Sequence, residues 1–394
     1  MHVPSDIDPY ERLLPEQRAF DVDADPAALL ASIPARWAVC CFVDADNRPV
    51  QLLCVRNLRA CIKSRLIAPA SEMERTKRVD YRAVVRSIRF CRVDSVIEQE
   101  MVYLSAVEQL FADQYRRLVP ERPVWFVQVD PEDRCPRFVK SEQLLPAGRW
   151  FGPIAEKQQA QALVEAIEDL FDLCRYHHIL LQSPDGRACA YKEMGKCPAP
   201  CDGSISLAGY RQQIHLAIDT LSDPRSAADQ HETRMQQAAR ALQFEQAGAI
   251  KQIVQSLRSL SEGAYRLLQP MDRFAYLAIQ PGPRKRSAKL FAILPRSTEP
   301  ICSIRDTTKP ATGVLAAVFA VFERLQSTQD DARITPLTTD LFASIAQHML
   351  SSKPMGMYLP TSALDEDALK RALQSLARQK EPPISEDEGI TRGD

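Results

Sequence analysis

The sequence predicts an α+β protein: a small mixed α/β domain, a cysteine-cluster segment, a helical hairpin and a small C-terminal α/β region. Three observations carry that expectation. Residues 34–123 read in the order β-β-α-β-α, residues 206–260 keep a helical period almost throughout, and two short apolar runs recur late in the chain around the Pro281–Arg286 turn. The 394 residues are 45% hydrophobic and 26% charged, ordinary values for a globular protein with room for several domains. The longest apolar run, Val314–Phe322, has nine residues, against the roughly 20 that a membrane span needs. Met1–Asp6 lacks the basic start and apolar core of an export signal. A cytoplasmic protein with no membrane partner is expected.

After an N-terminal arm (1–33), Trp37–Val43 and Val50–Val55 are apolar runs separated by Asp44–Pro49, which reads as a hairpin. Leu58, Ile62 and Leu66 fall at four-residue spacing and predict a helix over Leu58–Leu66. Ile88–Val93 follows as a strand and Ser105–Leu118 as an amphipathic helix, which closes the first domain at 123. In the middle region (124–205), Val124–Val129 and Arg137–Val139 are extended and Ile154–Phe171 is helical. The helical region 206–260 has one expected break, near Leu221–Arg225. In 261–379, Ala275–Ile279 and Ala288–Leu294 form a hairpin and Val314–Leu325 a buried helix. The tail, 380–394, with Pro382, Pro383 and an acidic triplet, reads as disordered.

Charge and cysteine are unevenly placed. The net charge is −1, yet Arg48–Asp94 holds twelve basic residues against four acidic ones. A basic stretch in a neutral chain points to an anion-binding face, phosphate being the usual partner, as against a merely solvated helix face. Of eleven cysteines, seven are scattered among apolar or basic neighbours, whereas Cys174, Cys189, Cys197 and Cys201 crowd into one segment. Four thiolates can enclose zinc or an iron–sulfur cluster. Structural zinc sites favour two tight pairs and only one is present, so the longer gaps favour the iron–sulfur group. Zinc, with His177 or His178 as possible ligands, and four unligated core cysteines are the alternatives.

Around these cysteines stand Arg149-Trp150-Phe151-Gly152-Pro153, Leu170–Cys174, Tyr191–Cys197 and Ala199-Pro200-Cys201. The pattern resembles the middle of UvrC, the nuclease subunit of the bacterial excinuclease of nucleotide excision repair. The resemblance implies a 4Fe–4S cluster on the four cysteines. It extends to Arg234–Ile250, where Phe244-Glu245 in context resembles the UVR motif, a helical hairpin that in the family packs on UvrB. Met235, Ala238, Ala239, Leu242, Ala249 and Ile250 are among its expected seam residues. The family's Arg-Asp pair is Lys251-Gln252 here.

Residues 34–123 resemble the family's GIY-YIG nuclease domain in framework only. The first motif tyrosine becomes Cys40, the second Gln51, the glycine Leu53, the lysine Cys54 and the catalytic arginine Cys61, while the metal-binding glutamate falls on Asp113. Such chemistry needs a phenol, a guanidinium and a carboxylate-held metal, and cysteine has no planar cationic fork. No catalytic residue is therefore assigned. Arg56, Arg59, Lys63 and Arg65 are the candidate contacts to DNA phosphates. The family's second, RNase H-like nuclease and its DNA-binding end have no counterpart in 261–394. The expectation is a repair protein that has lost incision and acts as an adaptor for DNA and for UvrB or another UVR-recognising partner. The alternatives are a divergent subunit that still cuts through Asp113 and a redox- or iron-sensing paralogue.

Overall fold

The computed structural model describes residues 8–68, 79–144, 148–309, 313–328, 335–378 and 390–392. The chain divides into two compact units, one made of 1–122, 275–345 and 353–394, the other of 123–274 and 346–352. The α+β expectation holds: helices and small antiparallel sheets make up both units.

The first unit begins with β1 (Glu16–Ala19), β2 (Ala38–Val43), β3 (Pro49–Val55) and β4 (Ser87–Arg92), antiparallel in the order β1-β4-β2-β3. The β2–β3 hairpin closes where expected. The Asp44 carboxylate accepts from the backbone N–H of Asp46 at 2.9 Å and of Arg48 at 2.8 Å, and Asn47 takes φ 61°. Asn57 caps the next helix, its Oδ1 accepting from Ala60 N–H at 3.1 Å. That helix runs Leu58–Ile62 and continues as one wider π turn over Lys63–Ile67. Side chains alternate across the sheet. Cys40, Phe42, Leu53 and Val55 pack beneath Leu58 and Cys61, while Val39, Cys41, Val43 and Cys54 face Tyr103 and Leu104.

The helix expected over 105–118 is displaced. It spans Val96–Leu110, and only short turns follow at Ala112–Gln114 and Tyr115–Leu118. Its start is set by a reciprocal cap: Ser95 Oγ accepts from Glu98 N–H at 3.2 Å and the Glu98 carboxylate accepts from Asp94 N–H at 2.9 Å.

The second unit contains β5 (Trp125–Val129), β6 (Val139–Ser141), β7 (Arg149–Ile154) and β8 (Gln269–Pro270), ordered β6-β5-β7-β8. The expected helix at Ile154 begins instead at Lys157, because Arg149–Ile154 is committed to pairing with β5. Gly152 permits that pairing: a Cβ there would lie 2.7 Å from the Phe126 ring. The helices Lys157–Leu170, Leu207–Ser222, Pro224–Arg240 and Phe244–Ser259 follow. The break near 223 is as expected, Asp223 capping the new helix through Ser226 N–H at 3.0 Å. A second break, at Ala241–Gln243 within the stretch read as a UVR-like hairpin, turns on Leu242 at φ 61°.

The chain then returns to the first unit with β9 (Tyr276–Pro281), β10 (Ala288–Leu294), β11 (Ser297–Ile304) and β12 (Met357–Pro360), antiparallel in the order β11-β10-β9-β12. Only one face of the expected buried helix is covered: Val318, Phe322 and Leu325 of Val314–Ser327 enter the core, and Phe319 is exposed. Within the expected tail, β13 (Ile390–Arg392) pairs antiparallel with β3; residues 379–389, 393 and 394 lie outside the described residues.

N-terminal and C-terminal segments are tied together inside this unit. The Lys289 ammonium sits between Asp94, at 2.9 Å, and Glu98, and all three side chains are largely buried. Tyr115 and Arg116 both bond Asp340, at 3.0 and 2.9 Å. Replacing Lys289 by Ala strands two carboxylates. It should cost about 2–4 kcal/mol, read as a lower urea midpoint, with part of the loss recovered when Asp94→Asn is added.

Candidate functional site

The positions aligned with nuclease chemistry fall in dry surroundings. Cys40 on β2 pairs in register with Leu53 on β3 and Phe90 on β4. With Cys61 on the overlying helix, these residues are fully buried in one apolar cluster. Gln51 is half-buried and its Oε1 accepts from Arg65 Nη1 at 3.2 Å. Cys54 lies on the opposite face with Cys41, whose thiol burial pushes far above its usual range. Asp113 is exposed, on a turn following the helix that packs on that opposite face. The structure thus gathers Cys40, Leu53 and Cys61 and leaves Asp113 apart from them.

The four basic candidates divide. Arg65 is only 4% exposed and is turned toward Gln51, which withdraws it from any phosphate. The Arg56 guanidinium stacks 3.8 Å from the Trp37 ring centre, and burial lowers its pKa. Arg59 is exposed and anchored by Nε to the Ile33 carbonyl at 2.8 Å, while Lys63 points to solvent. Elsewhere in the basic stretch, Arg48, Arg82 and Arg92 pair with Asp46, Asp80 and Glu16. Arg75, Lys77 and Arg78 lie outside the described residues.

In the cysteine segment, three of four thiols converge. Cys174 follows the helix Lys157–Leu170, and its N–H donates to the Tyr210 hydroxyl at 3.2 Å. A hydrogen bond between Cys174 and Cys197 raises the first thiol and lowers the second, and both sense the charge of Cys201 or Arg175. Cys201 is turned in by Ala199 at φ 55° and Gly203 at φ 76°, its carbonyl accepting from Gly186 N–H at 2.8 Å. Cys189 stands partly exposed at the start of the short helix Ala190–Glu193. Among the described residues no three His, Cys, Asp or Glu side chains are close enough to hold a metal ion as they stand. The donor set suits a soft, thiolate-bound group, with Cys174, Cys197 and Cys201 already buried together. The His178 ring lies against Tyr176 at 5.8 Å.

Tyr210 escaped the sequence reading. Its place in the stripe Tyr210, Ile214, Ala217, Leu221 marks it only as core, and nothing in the spacing signals the bond from its hydroxyl to Cys174. Arg175 was missed too; it bonds the Lys196 carbonyl at 3.2 Å and Asp169.

The hairpin Pro224–Arg240 and Phe244–Ser259 buries Ala238, Val254 and Leu257, with Arg258 paired to Glu232. Leu242 and Ala249, expected in that seam, are exposed instead: Leu242 because the turn itself uses 241–243, and Ala249 because it lies on the outer face of the second helix. Leu242 at 73% and Phe244 at 67% exposure form an apolar tip beside the exposed Glu245.

Among the described residues no helix is long and apolar enough to cross a membrane. The family model described as UvrC/Cho excinuclease, middle domain, matches residues 124–220. UvrABC system protein C of Syntrophomonas wolfei is 26% identical over 237 residues, 59% of this chain and 38% of the relative. The protein of that name from Alcanivorax borkumensis is 25% identical over 246 residues, 61% of this chain and 39% of the relative. The one from Halobacterium salinarum is 29% identical over 150 residues, 37% and 25% of the two chains. The chain thus spans about two fifths of the length of the first two of these relatives. No solved structure matches. The chain is UvrC-like, related to the UvrABC system C proteins and carrying a middle domain of the UvrC/Cho excinuclease type at residues 124–220.

Proposed function

We propose that this protein serves nucleotide excision repair as a non-cutting adaptor that holds DNA and a UvrB-like partner. The observation that carries the reading is the burial of Cys40, Leu53 and Cys61 in one apolar core, where a nuclease needs water, a phenol and a cation. Asp113 alone, exposed and remote from that core, has nothing to act with.

In this reading Arg59 and Lys63 contact phosphates without reading sequence. Leu242, Phe244 and Glu245, at the tip of a UVR-like hairpin, offer an apolar surface with one charge to the partner. Cys174, Cys189, Cys197 and Cys201 hold an iron–sulfur cluster, with zinc the alternative, and binding draws the four thiols together. The bound group would staple the segment through metal–thiolate bonds. Tyr210 fixes the Cys174 backbone for that purpose. A sensor role using the N-terminal thiols is disfavoured, since Cys40, Cys41, Cys54 and Cys61 are all buried.

Protein purified without oxygen, given a lesion-bearing duplex and Mg²⁺ or Mn²⁺ with or without UvrA and UvrB, should shift the duplex in a gel and leave both strands intact. A metal-dependent nick that Asp113→Ala abolishes would sink the adaptor reading. Cys197→Ser should purify with less bound iron, measured by absorbance and elemental analysis; an unchanged metal content would remove the cysteines from the site. Cys61→Arg, which restores the motif arginine, should regain no cutting. It buries an unpaired charge and should lower stability by at least about 3 kcal/mol in urea unfolding.

A further inference from the structure

The cysteine segment carries an aromatic row on its solvent side. Tyr176, two residues after Cys174, is 42% exposed. Its ring centre lies 5.8 Å from that of His178 and 5.7 Å from that of Tyr191, with the planes tilted by 51° and 57°. The Arg175 guanidinium stands 4.4 Å from the Tyr191 ring centre and extends the row. His178 is exposed as well, and Tyr191 is half-buried with its inner edge against the unit's core.

Cations flank the rings. Residues 175–196 hold four basic residues against two acidic ones. Lys196 has a half-exposed side chain and stands 3.7 Å from Asp169, the carboxylate that also holds Arg175. Lys192 is ordered by Asp202 and Ser204, both at 2.6 Å, and Arg187 is exposed. Bracing the cysteines accounts for Tyr191, which packs inward. It does not account for Tyr176 and His178, whose rings gain little burial by standing in water.

Half-exposed rings flanked by ammonium groups match the chemistry of unpaired nucleotides, in which bases stack on aromatic faces and lysines meet phosphates. A duplex keeps its bases stacked on one another and offers this surface only its backbone. We propose that Tyr176, His178 and Tyr191 form a stacking platform for single-stranded DNA, with Lys192 and Lys196 on the phosphates. The choice of DNA rests on the repair role proposed above.

The test uses the full chain and two fluorescent probes, a twelve-residue oligo(dT) and a duplex of the same length, titrated over a range of salt. Tyr176→Ala should weaken oligo(dT) binding about tenfold and leave duplex binding unchanged, and Tyr176→Phe should stay near native. His178→Ala, a change at an exposed position, gives a second reading and should also weaken oligo(dT). Lys196→Ala should weaken it and lower the salt slope by about one unit. Equal oligo(dT) affinity for native, Tyr176→Ala and His178→Ala proteins would overturn the platform and leave the adaptor reading standing. Absence of binding to either probe by the native chain would overturn both.

Discussion

Apolar packing on both faces of the N-terminal sheet is the constraint on which the rest of that unit depends. Every residue of β2, from Ala38 to Val43, is buried, so neither face can admit water or a hydrated ion. One face closes under the helix Leu58–Ile62 and its π turn, the other under Tyr103, Leu104 and Val107. A sheet closed in this way leaves its edges as the remaining problem, since β3 would present unpaired backbone groups. The chain answers with β13, which adds a fifth strand on β3 from nearly the far end of the sequence. The same logic explains the Lys289 contact. Glu98 is drawn inward because its carboxylate accepts from the Asp94 N–H at the start of the helix Val96–Leu110, and a cation from β10 pairs with both Glu98 and Asp94.

In the other unit the organising problem is how to turn thiols inward from a segment with little regular structure. The solution is mostly backbone. Ala199 and Gly203 adopt left-handed conformations, and Gly186 lies close against Cys201, where an added Cβ would come within 3.0 Å of its carbonyl oxygen. Tyr210 then supplies the side-chain contribution, reaching from the helix Leu207–Ser222 to the Cys174 amide. These contacts shape the segment in which Cys174, Cys197 and Cys201 are all buried. Cys189 stands just before a four-residue helix that has no buried side chain.

What was legible in the sequence follows from which signals are local. The β2–β3 hairpin, the break at Asp223 and the β9–β10 hairpin are written in adjacent residues: an Asx turn, an N-cap and a Pro-Gly turn. The start of the helix at Val96 is equally local, in Ser95 and Glu98, although the polar run Glu98-Gln99-Glu100 masks the apolar spacing of Ile97, Met101 and Leu104. β7 was obscured because Gly152 and Pro153 suggest a loop, and only pairing with β5 makes that stretch a strand. Which helix face meets the sheet is a tertiary fact: Arg65, two residues past Lys63 and so on the opposite side of the turn, is the one that faces inward to Gln51. The exposure of Leu242 has the same kind of cause, since a seam residue was spent on making the turn.

The N-terminal substitutions make sense as a set rather than one by one. A phenol and a guanidinium at positions 40 and 61 would have to be hydrated, or bonded to one another and to a metal, to be tolerated. Replacing either one alone leaves the other as an uncompensated polar group in a partly apolar site. Replacing both by Cys, with Leu53 for the glycine, removes the penalty at once and adds buried apolar area, at about 25 cal/mol per Å². The polar remnant, Gln51 with Arg65, survives at the rim because each satisfies the other. On the proposed reading, exchanging a solvated cutting surface for this apolar interior is a gain in folding free energy. On the non-cutting reading proposed above, a domain with this hairpin, its capping Asn57 and exposed Arg59 and Lys63 around an apolar interior keeps what holding needs and lacks what cutting needs.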